Sequence, residues 1–249
     1  MKERGMIFNG EMVRAILNGR KTQTRRIMKL QPKPSKSRPG DFWFSSKKLE
    51  SMVHVSDLAP GNSPIADYHL FIQEHCCPFG AVGDRIWVRE AYRFPASLDD
   101  ISPTGVGEMA VATGYRKPWA PTFYEFTGTF SDGWKGFETP PKVSDAGKLR
   151  PSIHMPRWAS RILLEITDVR VERLNAISEE DAEAEGIDME ALYDSQDCYD
   201  CIADHNMTGR PTVTGAFKYL WESIYGAENW LANPWVWVIE FKRVEGGAA

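Results

Sequence analysis

Apolar residues near the start of the chain recur at helical spacing. Met12, Val13, Ile16 and Leu17 fall on one face of a helix, and Gly19 follows them as a stop signal. The pattern therefore predicts a short amphipathic helix that ends just before Gly19.

Alternating patterns predict strands farther along the chain. In the segment 85–92, apolar residues alternate with arginines and Trp87, as on a half-buried strand. The segment 160–174 is typical of one long strand or two consecutive ones, and 235–241 of a final strand.

Two further helices are expected in the second half. Ser178 and Asp181 form a capping box that opens a helix of barely two turns, closed by Gly186. A longer helix ends at Gly226 and has its apolar residues on one face: Phe217, Leu220, Trp221 and Ile224.

Two long segments lack a sustained period. The first, at about 30–82, is rich in Pro, Ser, Lys and Gly, and we expect a short helix or hairpin inside it. The second, at about 94–150, is rich in Gly, Pro and aromatic residues and favours several short strands. We interpret both as insertions into a smaller fold.

Composition limits the classes of protein that this chain can belong to. It has 249 residues, of which 42% are hydrophobic and 26% charged, as in ordinary globular proteins. It contains no apolar run long enough to cross a bilayer, and its start lacks the apolar stretch of a secretory signal. We therefore expect a cytoplasmic protein without membrane contact.

The net charge of −4 conceals two regions of opposite sign. Between Arg14 and Lys48 the only acidic residue is Asp41, whereas the segment 172–204 is rich in Asp and Glu. The overall charge says nothing about partners, but the basic region permits an anionic ligand.

Four cysteines are too few for a disulfide scaffold of this length. Cys198 and Cys201 precede His205 at a spacing that zinc sites use, and Cys76 and Cys77 could complete such a site only if two distant segments met. We predict no metal and no other cofactor.

The segment 19–26 combines one lysine, two threonines and three arginines directly after the first predicted helix. A hydrophobic core cannot accommodate so many donors without partners. The segment is therefore either a solvated strand edge or a site for an electron-rich ligand, and we favour the site.

Gly19, Lys21, Thr24 and Arg26 complete a Gly-x-Lys-x-x-Thr-x-Arg motif that resembles the signature of the ASCH domain, a relative of the PUA RNA-binding fold. The resemblance continues through four further blocks: 83–90, 154–161, 177–187 and the closing Trp-rich strand. The chain is most similar to the large ASCH proteins of phages and prophages. The resemblance implies an α+β fold, a single domain over 1–249 built as a PUA-like β-barrel with flanking helices.

Small bacterial ASCH proteins include amidohydrolases that remove the acetyl group of N4-acetylcytidine. The resemblance implies that Lys21 and Thr24 are catalytic and that Glu185, or else Glu183, supplies the glutamate. Thr24 would attack the amide carbonyl, Lys21 would accept its proton, and Glu185 would pass a proton to the leaving amine. Arg26 would stabilise the oxyanion.

This mechanism imposes a condition on the backbone. Side chains alternate along a regular strand, so Lys21 and Thr24 would point to opposite faces. Lys21 must therefore lie in a turn, or the strand must contain a bulge.

Four more residues are candidates for substrate binding. Arg25 and Arg26 supply positive charge, and Trp87 is the aromatic residue chosen to stack on a base. Glu90 is a rival carboxylate, for which an ion pair with Arg89 is the simpler explanation.

The leading hypothesis is hydrolysis of an N4-acylated cytosine nucleoside or a related modified base. An alternative is a non-catalytic module, or a ribonuclease, that binds RNA or modified nucleic acid in the same basic cleft. A third is an accessory protein that acts through protein contacts. The expected partner is a modified nucleoside or RNA, while protein partners stay unknown.

Overall fold

The structure, a computed structural model, describes residues 1–131, 142–194 and 212–244. The fold is mixed α+β. The helices are α1 (Gly10–Leu17), α2 (Tyr68–Cys76), α3 (Pro103–Ala112), α4 (Glu179–Ala184), α5 (Met189–Asp194), α6 (Val213–Tyr225) and α7 (Ala227–Leu231). The strands are β1 (Glu3–Ile7), β2 (Gln23–Ile27), β3 (Lys33–Pro34), β4 (Phe42–Ser46), β5 (Ser51–His54), β6 (Arg85–Arg89), β7 (Tyr92–Arg93), β8 (Phe123–Tyr124), β9 (Thr129–Phe130), β10 (Leu163–Arg173) and β11 (Trp235–Arg243).

The chain divides into two compact units. Unit 1 comprises Met1–Lys2, Asn18–Asp84 and Glu165–Lys242, and unit 2 comprises Glu3–Leu17, Arg85–Leu164 and the chain from Arg243. In neither unit do the described strands close into a barrel. None of the described helices is long and apolar enough to cross a membrane.

The main sheet of unit 1 places β11 between β10 and β2. β11 and β2 pair antiparallel in unbroken register, with Val238 opposite Arg25 and Ile239 opposite Thr24. One face of this sheet packs on α6 through Val238, Phe217 and other buried apolar residues. The amphipathic pattern of α6 therefore has the role that its spacing predicts.

A second sheet of unit 1 has the order β3–β4–β5, all antiparallel. Its aromatic side chains pack against β11: the Phe42 and Trp235 ring centroids lie 4.9 Å apart, and those of Phe44 and Trp237 lie 6.1 Å apart. The hairpin expected in the segment 30–82 is thus present as β4–β5.

In unit 2, β1 and β6 pair in parallel, with Gly5 opposite Trp87. The strands β7, β8 and β9 form a separate antiparallel sheet. A core containing Tyr92, Phe94 and Met155 packs beneath α3, a helix that the sequence patterns do not predict.

Candidate functional site

Lys21 and Glu185 meet through the backbone as well as the side chains. Gly19 has a φ of +79°, a conformation that suits glycine, and makes the turn that leads to Lys21. Lys21 and Glu185 then form an isolated antiparallel bridge, beside which the Thr22 amide donates to the Ala184 carbonyl at 2.8 Å. Directly opposed residues in such a bridge project to the same face, so the two side chains become neighbours.

The Lys21 ammonium donates to Glu185 Oε2 at 2.6 Å and to the Glu185 carbonyl oxygen at 2.7 Å. The two side chains are only 0% and 2% exposed. Burial lowers the pKa of Lys21, Glu185 opposes this effect, and the nearby Arg26 and Arg25 reinforce it. A lysine with a lowered pKa in contact with a carboxylate can accept or return a proton at a lower pH than a free lysine can.

Arg25 is the second buried cation of the site, with a side chain that is fully buried. Its guanidinium contacts three carboxylates: Asp181 at 2.7 Å, Glu172 at 3.3 Å and Glu185 at 3.3 Å. It also lies 5.9 Å from the centre of the Phe217 ring. Arg25 is therefore held by α4 and β10 carboxylates and is not open to solvent.

Asp181 is the hub of this network, although the sequence predicts it only as a capping residue. Its backbone amide donates to the capping Ser178 Oγ at 3.1 Å. Its carboxylate accepts hydrogen bonds from Arg25, Gln23 and Arg170. Burial alone would raise the pKa of Asp181, but Arg25, the Gln23 hydrogen bond and Arg170 together lower it.

Arg170 and Gln23 are the other residues that the sequence interpretation missed. Arg170 joins Asp181 at 2.9 Å and Glu172 at 2.6 Å, and it also pairs with Glu240. The sequence does contain a signal that could have indicated these residues. Polar residues occupy every second position in parts of β2 and β10, and this alternation predicts a polar stripe on one face of each strand.

Thr24 lies apart from the Lys21–Glu185 pair. The β2–β11 register contains no bulge, so Thr24 points to the opposite face from Gln23 and Arg25, whose side chains reach α4. Thr24 is buried, and among the described residues no hydrogen bond links its hydroxyl to Lys21. Arg26, two residues on, shares the face of Thr24 and is half-buried.

Glu185 rather than Glu183 occupies the position beside Lys21. Glu183 lies one residue before the bridge segment and is exposed. The backbone bridge places Glu185 beside Lys21, and the catalytic role of this glutamate stays a prediction.

Trp87 and Glu90 belong to unit 2. Trp87 packs over Gly5 and lies 5.1 Å from the Arg89 guanidinium. Glu90 is buried and pairs with Arg161 through two contacts of 2.9 Å, so the expected ion pair forms with Arg161 and not with Arg89. Burial raises the pKa of Glu90, and Arg161 opposes the rise.

Unit 2 also contains an apolar cavity of about 520 Å³ beside α3, lined by Gly107, Val111, Pro118 and Trp158 among others. None of the residues predicted for the site lines this cavity. Its walls are mainly apolar, and their polar side chains are those of Thr104 and Glu108.

The zinc hypothesis falls partly outside the described residues, because Cys198, Cys201 and His205 lie there. Cys76 and Cys77 lie at the end of α2 and just after it, and neither forms a disulfide with another described residue. Within the described ranges, no group of three or more His, Cys, Asp or Glu side chains is arranged to hold a metal ion.

Comparison with models of known protein families, with curated proteins and with solved structures finds no match to this chain. The resemblance to the ASCH domain therefore rests on the motif residues and stays a prediction.

Proposed function

We propose that this protein hydrolyses the amide of an N4-acylated cytosine nucleoside or a related modified base, on a fold of the PUA-like type. The observation that carries the proposal is the 2.6 Å contact between the buried Lys21 ammonium and Glu185, residues 164 positions apart in the sequence. The motif resemblance names these two residues, and the fold brings them together.

The chemistry needs one group to take a proton from the attacking oxygen and one to give a proton to the leaving amine. Lys21, with its lowered pKa, takes the first proton when it is neutral. Glu185 receives that proton from Lys21 and delivers it to the amine nitrogen, so the cytosine leaves as a neutral base. Water, or the hydroxide it becomes, supplies the oxygen of the released carboxylic acid.

Two oxygens can make the attack. Attack by the Thr24 hydroxyl requires that hydroxyl to reach the face of β2 on which Lys21 lies, whereas attack by water requires no change in the strand. The geometry favours water. Thr24→Ala separates the two routes, because it abolishes turnover by the first and spares the second.

The substrate must also reach a pair that is closed to solvent. Asp181 and Glu172 are 23% and 27% exposed, whereas Lys21 is 0% exposed, so the carboxylate side is the open side of the network. We expect the base to approach from there, with local opening of the turn before Gln23.

Non-catalytic binding of nucleic acid by the same residues has less support. Lys21 and Arg25 already pair with carboxylates, and a phosphate would have to replace those contacts. The cations of this cleft are therefore poorly placed to hold a polyanion.

The test is release of cytidine from N4-acetylcytidine by the purified full chain, followed by chromatography. Lys21→Met and Glu185→Gln should each lower the rate of cytidine release about a hundredfold or more, which is the usual contribution of a general acid or base. Lys29→Met, a change of an exposed lysine nearby, is the matched control and should keep the full rate. No release by folded protein from this substrate or from longer N4-acyl analogues would refute the proposal.

A further inference from the structure

The β3–β4–β5 sheet of unit 1 has one face turned away from β11. The register places Lys33 opposite Trp43 and Trp43 opposite His54, with Ser45 opposite Met52 in the next row. We call these five residues the outer face. The alternate residues of β4 form the inner face, where Phe44 is buried against Trp237.

Trp43 on the outer face has no aromatic partner among the residues that the structure describes. Its side chain is partly exposed, and it makes no ring contact with any residue that the structure describes. Met52, on the same face, is 60% exposed. An unpaired indole on a sheet surface offers a flat area on which another ring can stack.

Exposed lysines lie on the same sheet and in the segments that flank its strands. Lys33 is directly opposite Trp43, Lys29 and Lys36 lie before and after β3, and Lys47 and Lys48 lie in the turn between β4 and β5. Unlike Lys21, none of these side chains forms an ion pair with a carboxylate in the described ranges.

Acidic groups do little to neutralise these lysines. The carboxylates of this region are Asp41, Glu50 and Asp57, and Asp57 pairs with Arg38 at 2.7 Å. Asp41 is engaged by the Ser56 hydroxyl at 2.6 Å and by the Phe42 amide at 2.7 Å. The surface therefore combines a net positive charge with an aromatic ring.

We propose that the outer face binds single-stranded nucleic acid, with Trp43 stacked on a base and the exposed lysines in contact with phosphates. In a single strand the faces of the bases are free to stack on an aromatic side chain while the phosphates contact lysines. In a duplex the base faces are covered by the neighbouring base pairs. An acidic protein segment would satisfy the lysines, but its carboxylates would offer Trp43 nothing to stack on, whereas every nucleotide supplies both a charge and a ring. This binding goes beyond the proposed hydrolysis and does not depend on it.

The test is fluorescence anisotropy of a labelled oligouridylate of about 12 nucleotides, within the site sizes known for single-strand binders. Trp43→Ala should weaken binding roughly tenfold, as for the loss of one stacked base. Trp43→Leu, which keeps apolar bulk for folding but cannot stack, should weaken it to a similar degree. Lys117→Ala, an exposed lysine of unit 2, should leave the affinity unchanged.

Salt dependence provides a second readout that does not involve Trp43. Each phosphate contact to a single strand contributes about 0.7 to the slope of log affinity against log salt. The double variant Lys33→Ala and Lys36→Ala should therefore reduce the steepness by roughly 1 to 1.5.

Several results would overturn the proposal. Binding that survives both Trp43 variants unchanged would do so, as would equal competition by polyglutamate of matched charge, which would indicate an acidic protein ligand. Absence of any binding at low salt would also do so. Because Trp43 lies outside the Lys21–Glu185 network, Trp43→Ala should still hydrolyse free N4-acetylcytidine, so failure of one proposal is distinguishable from failure of the other.

Discussion

At the scale of single residues, the site depends on charges that are buried only because each has a partner. An unpaired ion in a protein interior costs several kcal/mol, and ion pairs recover this cost only with good geometry and further hydrogen bonds. Lys21 meets this condition with two acceptors, and Arg25 meets it with three carboxylates. Removing either cation should therefore affect stability as well as function.

Arg25→Ala should lower the free energy of unfolding by about 3 kcal/mol, the lower end for a broken buried ion pair. The variant leaves the buried Glu185 with Lys21 alone and the partly exposed Asp181 with Arg170 alone as cationic partners. Urea unfolding followed by circular dichroism measures the change. Arg116→Ala is the matched control, an exposed arginine of unit 2 for which we expect a change of less than about 0.5 kcal/mol. A loss for Arg25→Ala as small as that of the control would contradict the network.

Asp181 makes the free energy of unfolding depend on pH in the acid range. Its pKa is lowered in the folded protein from an ordinary value of 3.8, so the unfolded chain takes up the proton first as pH falls. The stabilisation that Asp181 contributes is present above the ordinary value and is lost as pH falls through the lower folded one.

We therefore expect Asp181→Asn to be less stable than the wild type at neutral pH and to lose less stability on acidification below about pH 4. Chemical unfolding at a series of pH values gives both quantities. Asp100→Asn, which changes an exposed carboxylate, should follow the wild-type curve. If Asp181→Asn and the wild type lost the same amount of unfolding free energy on acidification, the result would be inconsistent with this account.

At the scale of elements, predictions from pattern are confirmed where pattern and packing agree. α1 ends at Leu17 before Gly19, α4 begins after its Ser178 cap, and β11 starts at Trp235, all as expected. These elements have a clear period or a cap that is local in sequence.

α3 was missed for a physical reason. Gly105 and Gly107 disfavour a helix by about 1 kcal/mol each relative to alanine, and α3 lacks a clear apolar face. Tertiary packing overrides this preference, because Gly107 lets the Trp158 indole and Pro118 approach the helix closely. The available signal was the Ser102–Pro103 pair, a cap followed by proline at the first helical position.

The site was predictable only in part. Lys21 and Glu185 were named from the motif resemblance, but the charged partners of Arg25 depend on which strand faces and helix meet in space. No local pattern states that Asp181 on α4 reaches Arg170 on β10. The alternation along β2 was foreseeable, and with it the separation of Thr24 from Lys21.

The pairing of β1 with β6 provides a test at this scale. A Cβ atom on Gly5 would lie 2.5 Å from the Trp87 ring, so Gly5→Ala must displace the indole. We expect a loss of about 1 to 3 kcal/mol in unfolding free energy, the usual cost of overpacking. In a Trp87→Ala background, adding Gly5→Ala should cost much less than it does in the wild type, because the ring that the new Cβ atom would meet is absent. Additive effects of the two changes in thermal unfolding would rule out the close approach.

At the scale of the whole molecule, the chain has two compact units, each with its own buried core. The motif resemblance implies one domain with two insertions, which stays a prediction. Unit 1 contains Lys21, Thr24 and Glu185, and it also contains the outer face with Trp43. Unit 2 contains Trp87 and Glu90, whose partners Arg89 and Arg161 explain their positions without a ligand.

The central claim, that neutral Lys21 is the base of an amide hydrolysis, is tested most directly by the pH dependence of cytidine release. Burial lowers the pKa of Lys21 from the ordinary 10.5, so the wild-type rate should rise with pH and reach its plateau below that value. Lys21→Arg, which keeps the positive charge but does not lose its proton, should be folded and inactive throughout. A rate that shows no rise with pH up to that ordinary value and survives Lys21→Arg would contradict the account.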